Sequence, residues 1–126
     1  MPKFKTETFG PGNLSWIGPD SAKAGRTEWI DSADADFAAL VVDGVVPSGT
    51  PVALVSGQLK PYNSAASTDA KVLIGFLYTD APRNVGRLGV PVFDHGRVNI
   101  AKLPGAAFTA PTAANDRTQC VYMTGA

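Results

Sequence analysis

One cysteine and one histidine are all that this chain has of the side chains most used to bind metals or carry protons near neutral pH. A lone cysteine excludes an internal disulfide framework and any multi-cysteine zinc site, and a lone histidine excludes histidine-rich metal centres. Charge is scarce as well. Only 17% of the 126 residues are charged, and the 11 basic and 11 acidic side chains cancel. That balance provides no general attraction to nucleic acid or to an anionic membrane, so neither is expected as a partner. No apolar run approaches the roughly 20 residues that a membrane-spanning helix needs. None of secretory length follows Met1-Pro2-Lys3-Phe4-Lys5 either, and this predicts folding in a reducing cytoplasm.

What the chain does have is turn chemistry. Glycine (13) and proline (10) are abundant, while 44% of the residues are apolar. Glycine and proline interrupt helices and supply turns, so a helical bundle is excluded and a small, mainly β domain with little helix is expected. The strand signals begin at Leu40-Val41-Val42, which runs into the turn dipeptide Asp43-Gly44. Pro47-Ser48-Gly49 separates two β-branched runs, and Ser56-Gly57 precedes the short strand Gln58–Tyr62. Val72–Tyr78 is the most apolar stretch, and its β-branched and aromatic content predicts a strand buried on both faces. Gly75 inside it signals a bulge or a close backbone approach. Val90–Phe93 and Val98–Leu103 flank Asp94-His95-Gly96-Arg97 and read as a hairpin, and Gln119–Tyr122 reads as a last strand. Ser32 is a candidate cap for a short helix over Ala33–Leu40, with Asp34 near its positive end.

Catalytic constellations do not emerge. His95 and Asp94 are adjacent, and neighbours in a strand or tight turn point different ways, which is wrong for a Ser-His-Asp relay. A Gly-x-Ser-x-Gly elbow and a phosphate-binding loop are both absent. Cys120 has no nearby His or Lys in sequence to activate it. Asp31, Asp34 and Asp36 cluster without the glycine and terminal glutamate of an EF-hand loop. A non-enzymatic protein without metal or cofactor is expected.

Residues 1–26 differ from the rest: their apolar side chains are isolated among turn and coil residues. They read as an extended arm ahead of a β-rich domain over 27–126. Solvated tails are usually poor in large aromatics. Phe4, Phe9 and Trp16 therefore favour a binding arm over a plain tail or an arm packed on its own domain. The zero net charge also dissolves into regions. Residues 1–26 carry +2, residues 27–43 carry −5 (Glu28, Asp31, Asp34, Asp36, Asp43), and residues from 81 onward carry +3. Ordinary solvated faces account for such regions, and so do complementary surfaces between copies in an oligomer.

A family resemblance rests on the order of these turns and runs. Gly44-Val45-Val46-Pro47-Ser48-Gly49-Thr50-Pro51-Val52-Ala53 is followed by Leu59-Lys60-Pro61-Tyr62. After these come Val72–Asp80 and then Asp94-His95-Gly96-Arg97-Val98-Asn99. With Leu14-Ser15-Trp16-Ile17-Gly18 and Ala24-Gly25-Arg26-Thr27 upstream, this order resembles the lambda-type bacteriophage head decoration protein D family, in versions like those of actinobacterial phages. The likeness covers residues 12–105. It implies a β-clip domain that forms homotrimers on the outer capsid surface of the virion, at local threefold positions of the expanded head. The partner would be the major capsid protein, and the role would be to stabilise the head against the pressure of packaged DNA. It further implies that the N-terminal arm adds a strand to that partner, with Phe4, Thr6, Thr8, Phe9, Leu14 and Trp16 as contacts, and that residues 2–17 are removable without loss of the folded trimer. Two other readings stand beside it. One is a virion-surface adhesion module that stacks host glycan on Trp16 and Trp29. The other is a β-clip nucleotide pyrophosphohydrolase, for which Val41-Val42-Asp43-Gly44 resembles an acidic active-site strand.

Overall fold

A computed structural model of the chain describes residues 14–18, 26–31, 34–82, 86–104 and 108–123. Its tightest turns come where two successive residues adopt positive φ: Asp43 and Gly44 at 51° and 79°, Ser56 and Gly57 at 52° and 80°. Paired positive φ angles match the right-handed twist of adjoining antiparallel strands, so these dipeptides direct hairpins. Val42 and Val45 exchange both backbone hydrogen bonds around the first turn, at 2.9 and 3.1 Å.

Nine strands occur among the described residues: β1 (Arg26–Asp31), β2 (Val45–Val46), β3 (Pro51–Val55), β4 (Gln58–Pro61), β5 (Gly75–Leu77), β6 (Ala81–Pro82), β7 (Arg87–Phe93), β8 (His95–Asn99) and β9 (Gln119–Met123). The helical elements among the described residues are short 3-10 turns, the longest being Ala35–Leu40. The domain is thus mainly β, as its turn chemistry predicts. The main sheet has the order β1-β7-β5-β3-β4 and is antiparallel throughout. Its two end strands, β1 and β4, come within 8 Å of each other between Cα atoms, so the sheet curls strongly. β2 and β6 form a small antiparallel pair, and β8 and β9 pair in parallel.

The main sheet separates two apolar clusters. Ile30, Phe37, Val52, Leu59, Leu77 and Val92 belong to the first. Trp16, Leu73, Phe76, Phe93 and Val98 form the second, with Tyr62, Phe108 and Tyr122 packed against it. Adjacent residues of one strand feed opposite clusters, as the period of two requires: Phe76 and Leu77 in β5, Phe93 and Val92 in β7. Gly89, opposite Trp29 in the β1–β7 ladder, sits under the outward-facing Trp29 ring, while the next residue, Ile30, is fully buried.

Several local expectations need correction. Of the helix expected over Ala33–Leu40, the described part is a 3-10 turn over Ala35–Leu40 capped by Asp34, which accepts a 2.9 Å bond from the Asp36 N–H, while Ser32 and Ala33 lie outside the described residues. Within Val72–Tyr78 only Gly75–Leu77 is regular strand, because Leu73 turns aside to bridge Asp116. Residues 90–103 do not form a hairpin. A single residue, Asp94, separates β7 from β8, too little for a reversal, so the chain crosses instead into the β8–β9 layer.

Lys60 of β4 ties the 3-10 turn to the sheet. Its ammonium pairs with Asp34 and lies 3.3 Å from an Asp36 oxygen, and Arg26 pairs with Glu28 at 2.6 Å. The acidic region 27–43 is therefore partly neutralised inside the protein.

Gly75 lies where β5 meets β7. A Cβ there would stand 2.5 Å from Val92 Cγ1 and 2.6 Å from the Phe93 carbonyl oxygen. Backbone cannot yield as a side chain can, so Gly75→Ala is expected to lower stability by about 1–3 kcal/mol in urea unfolding.

Candidate functional site

The short segment Leu14–Gly18 joins the N-terminal part of the chain to the domain. Asn99 N–H donates to the Trp16 carbonyl at 2.7 Å, and Gly18 N–H donates to the Arg97 carbonyl at 2.8 Å. Ile17 thereby makes a single antiparallel bridge to Val98 on the side of β8 opposite β9.

Trp16 points inward and is 1% exposed. Its ring lies edge-on to Phe93 at 5.2 Å between centroids and tilted against Phe76 at 5.6 Å. The indole N–H donates to Ser48 Oγ at 3.1 Å, and that hydroxyl donates onward to the Tyr78 carbonyl at 2.8 Å. Ser48 is held in turn by its own N–H, which donates to Asp80 Oδ1 at 2.7 Å. A Cβ on Gly49 would fall 2.9 Å from the Trp16 ring, so the Pro47–Thr50 turn is glycine-bearing where the indole presses on it.

Of the candidate arm contacts, Phe4, Thr6, Thr8 and Phe9 lie outside the described residues. Leu14 is half-buried, and Trp16 is a core side chain of the domain rather than an exposed contact. Residues 14–18 pack on the domain, and β1 begins at Arg26. A truncation through residue 17 would strip the second cluster of its largest ring.

The candidate chemical groups are dispersed. His95 is exposed at the start of β8, Asp43 is exposed in its turn, and Cys120 is half-buried in β9. Among the described residues no three His, Cys, Asp or Glu side chains are grouped to hold a metal ion, and no helix is long and apolar enough to cross a membrane. Beside Cys120 is a polar cluster that sequence reading misses. Asp116 accepts from the Thr118 N–H at 2.8 Å, from the Thr118 hydroxyl at 2.6 Å and from the Tyr122 hydroxyl at 3.0 Å. Its legible signal is the Asp-x-Thr spacing of an Asx turn.

Surface hollows supply the remaining geometry. One of about 300 Å³ is bounded by Leu40, Val42, Pro47, Pro51 and Pro104. It shares Leu40, Pro51 and Pro104 with a second, of about 190 Å³, that continues toward Tyr62 and Phe108. Large apolar side chains exposed among the described residues are Trp29 (48%), Val42 (54%) and Val121 (61%). Arg87 lies over the Trp29 ring at 4.7 Å.

Comparison with known proteins finds no matching family model, no matching curated protein and no matching solved structure.

Three outcomes follow from this geometry. Trp16→Ala is expected to destabilise the domain by about 3–5 kcal/mol in chemical denaturation, the usual cost of removing a buried tryptophan. Burial pushes the Cys120 thiol up from 9.0 to about 11 and raises the Tyr122 hydroxyl as well, while the Asp34 hydrogen bond raises Lys60. Groups whose folded pKa exceeds the unfolded value stabilise fully below the unfolded pKa and lose that contribution as pH rises through the folded one. Thermal stability is therefore expected to fall from about pH 9 to beyond pH 11, and iodoacetamide at pH 8 should alkylate Cys120 about 100-fold more slowly in the folded than in the urea-unfolded chain.

Proposed function

We propose that this chain is a phage capsid decoration protein: a β-clip trimer that binds the outside of the expanded head at local threefold positions and cements neighbouring capsid subunits. The observation that carries the reading is the ordered series of turns and apolar runs from Gly44 to Asn99 that resembles the lambda-type decoration family. Compatible with it are the mainly β fold and the hydrogen bonds that hold Trp16–Gly18 along β8. An arm that adds a strand to a capsid protein draws affinity from main-chain hydrogen bonds and specificity from alternate side chains.

Three arms on one trimer act together. Once one is bound, the others rebind at high effective concentration, and avidity exceeds single-arm affinity by about 10²–10⁴. A ligand that binds only the expanded shell stabilises that shell by mass action, without touching the packaged DNA.

The adhesion reading is narrowed by the geometry, since of the two tryptophans only Trp29 offers a ring to solvent, and Arg87 covers one of its faces.

The test is binding to purified, undecorated expanded capsids, imaged by cryo-electron microscopy. Density at the local threefold positions is expected. Deletion of residues 2–13, which spares Trp16, should leave a folded protein that no longer occupies those positions. Normal occupancy by the truncated protein would overturn the arm, and absence of any binding by the full chain would overturn the decoration role.

A further inference from the structure

Two features of the surface remain without a role: the Trp29–Arg87 pair and the hollow beneath Val42. The hollow, about 300 Å³, is lined by Leu40, Val42, Pro47, Pro51, Pro104 and other small or apolar groups. Its single polar lining side chain, Thr50, already donates its hydroxyl to the Pro47 carbonyl at 2.7 Å. What fits there is an apolar group that asks for no hydrogen bond from the walls. The residue that follows Val42 in the chain, Asp43, is exposed and brings a carboxylate to the adjoining turn.

Trp29 is the largest apolar side chain exposed among the described residues, and it projects from the outer face of β1. Arg87 of β7 stacks on its ring, so the knob carries a positive charge beside an apolar plate. Knob and hollow are complementary in both respects: ring to apolar walls, and Arg87 to Asp43. Tryptophan and arginine are also the residue types that dominate interface energetics when seated in a pocket.

We propose that Trp29 of one copy of this chain seats in the Val42–Pro51–Pro104 hollow of the next, with Arg87 facing Asp43 across the contact. Knob and hollow share no residue, so the contact is heterologous, and a heterologous contact repeated around a closing rotation makes a ring. The inference rests on the trimeric reading above and names the surface through which the trimer closes.

The experiment is size-exclusion chromatography with light scattering across a concentration series, on the full chain and on W29A, R87E, D43N and R87E/D43N. Asp43→Asn is chosen because asparagine tolerates the left-handed backbone of that turn, and circular dichroism checks the fold of each variant. The full chain is expected to form trimers, and W29A to raise the dissociation constant by about 30-fold or more. R87E should weaken assembly through repulsion with Asp43, and R87E/D43N should recover part of that loss. Trimers of undiminished strength in W29A, strictly additive effects of R87E and D43N, or a full chain that stays monomeric at every concentration would overturn the contact. Capsid imaging separates the two claims. Capsid binding by a W29A trimer of full strength refutes this contact and leaves decoration standing. A trimer lost in W29A, from a full chain that never binds capsids, does the reverse.

Discussion

The burial of Trp16 is the constraint on which the rest of the domain depends. A chain of this size has little interior, and one indole wedged between Phe76, Phe93 and the Pro47–Thr50 turn joins three otherwise separate parts of it. Its ring completes the second apolar cluster. Its N–H reaches Ser48, and through Ser48 the carbonyl of Tyr78 after β5. Its carbonyl accepts from the Asn99 N–H at the end of β8. Apolar area, a buried donor and a sheet edge are thus satisfied at one position. An indole buried without a partner for its N–H would forfeit much of what its ring contributes.

The main sheet makes this possible because it is buried on both faces at its centre. β5 and the end of β7 send successive side chains to opposite clusters, and Gly75 lets the two strands approach more closely than any side chain would permit. Polar groups drawn inside by this arrangement are accommodated locally. Ser48 bonds to Asp80 and Tyr78, and Tyr122 and Thr118 bond to Asp116. Among the described residues no buried side-chain nitrogen or oxygen lacks a partner.

For a cementing role, rigidity and multivalency matter more than a reactive group. The chemistry-bearing side chains are scattered: His95 exposed at one strand end, Cys120 held protonated by burial, Asp34 and Asp36 engaged by Lys60. The surface instead offers a stacked Trp29–Arg87 pair and a hydrophobic hollow beside an acidic turn. Within the proposed function, the arm would determine where the protein binds, and contacts between copies would determine how many arms bind together.

Local information was legible directly. Asp43-Gly44 and Ser56-Gly57 are turns because few residue pairs accept two consecutive positive φ angles, and the two-faced burial of Phe76 and Leu77 follows from an apolar run without polar alternation. The close approach at Gly75 was likewise readable from a glycine set inside a strand. The pairings were not. Val90–Phe93 and Val98–Leu103 look like hairpin partners, yet β8 pairs with a strand more than 20 residues further on, because ladder hydrogen bonds carry no residue identity. Trp16 illustrates the same division. An aromatic in a turn-rich N-terminal stretch has the same sequence signature whether it seeks a partner protein or its own core. The sequence by itself determined that the domain would be mainly β, where its chain would turn and which side chains would need burial. Only the tertiary structure decided that Trp16 is buried within its own domain, since Ser48, Gly49, Phe76 and Phe93 are distant in the chain and meet only when the sheets fold.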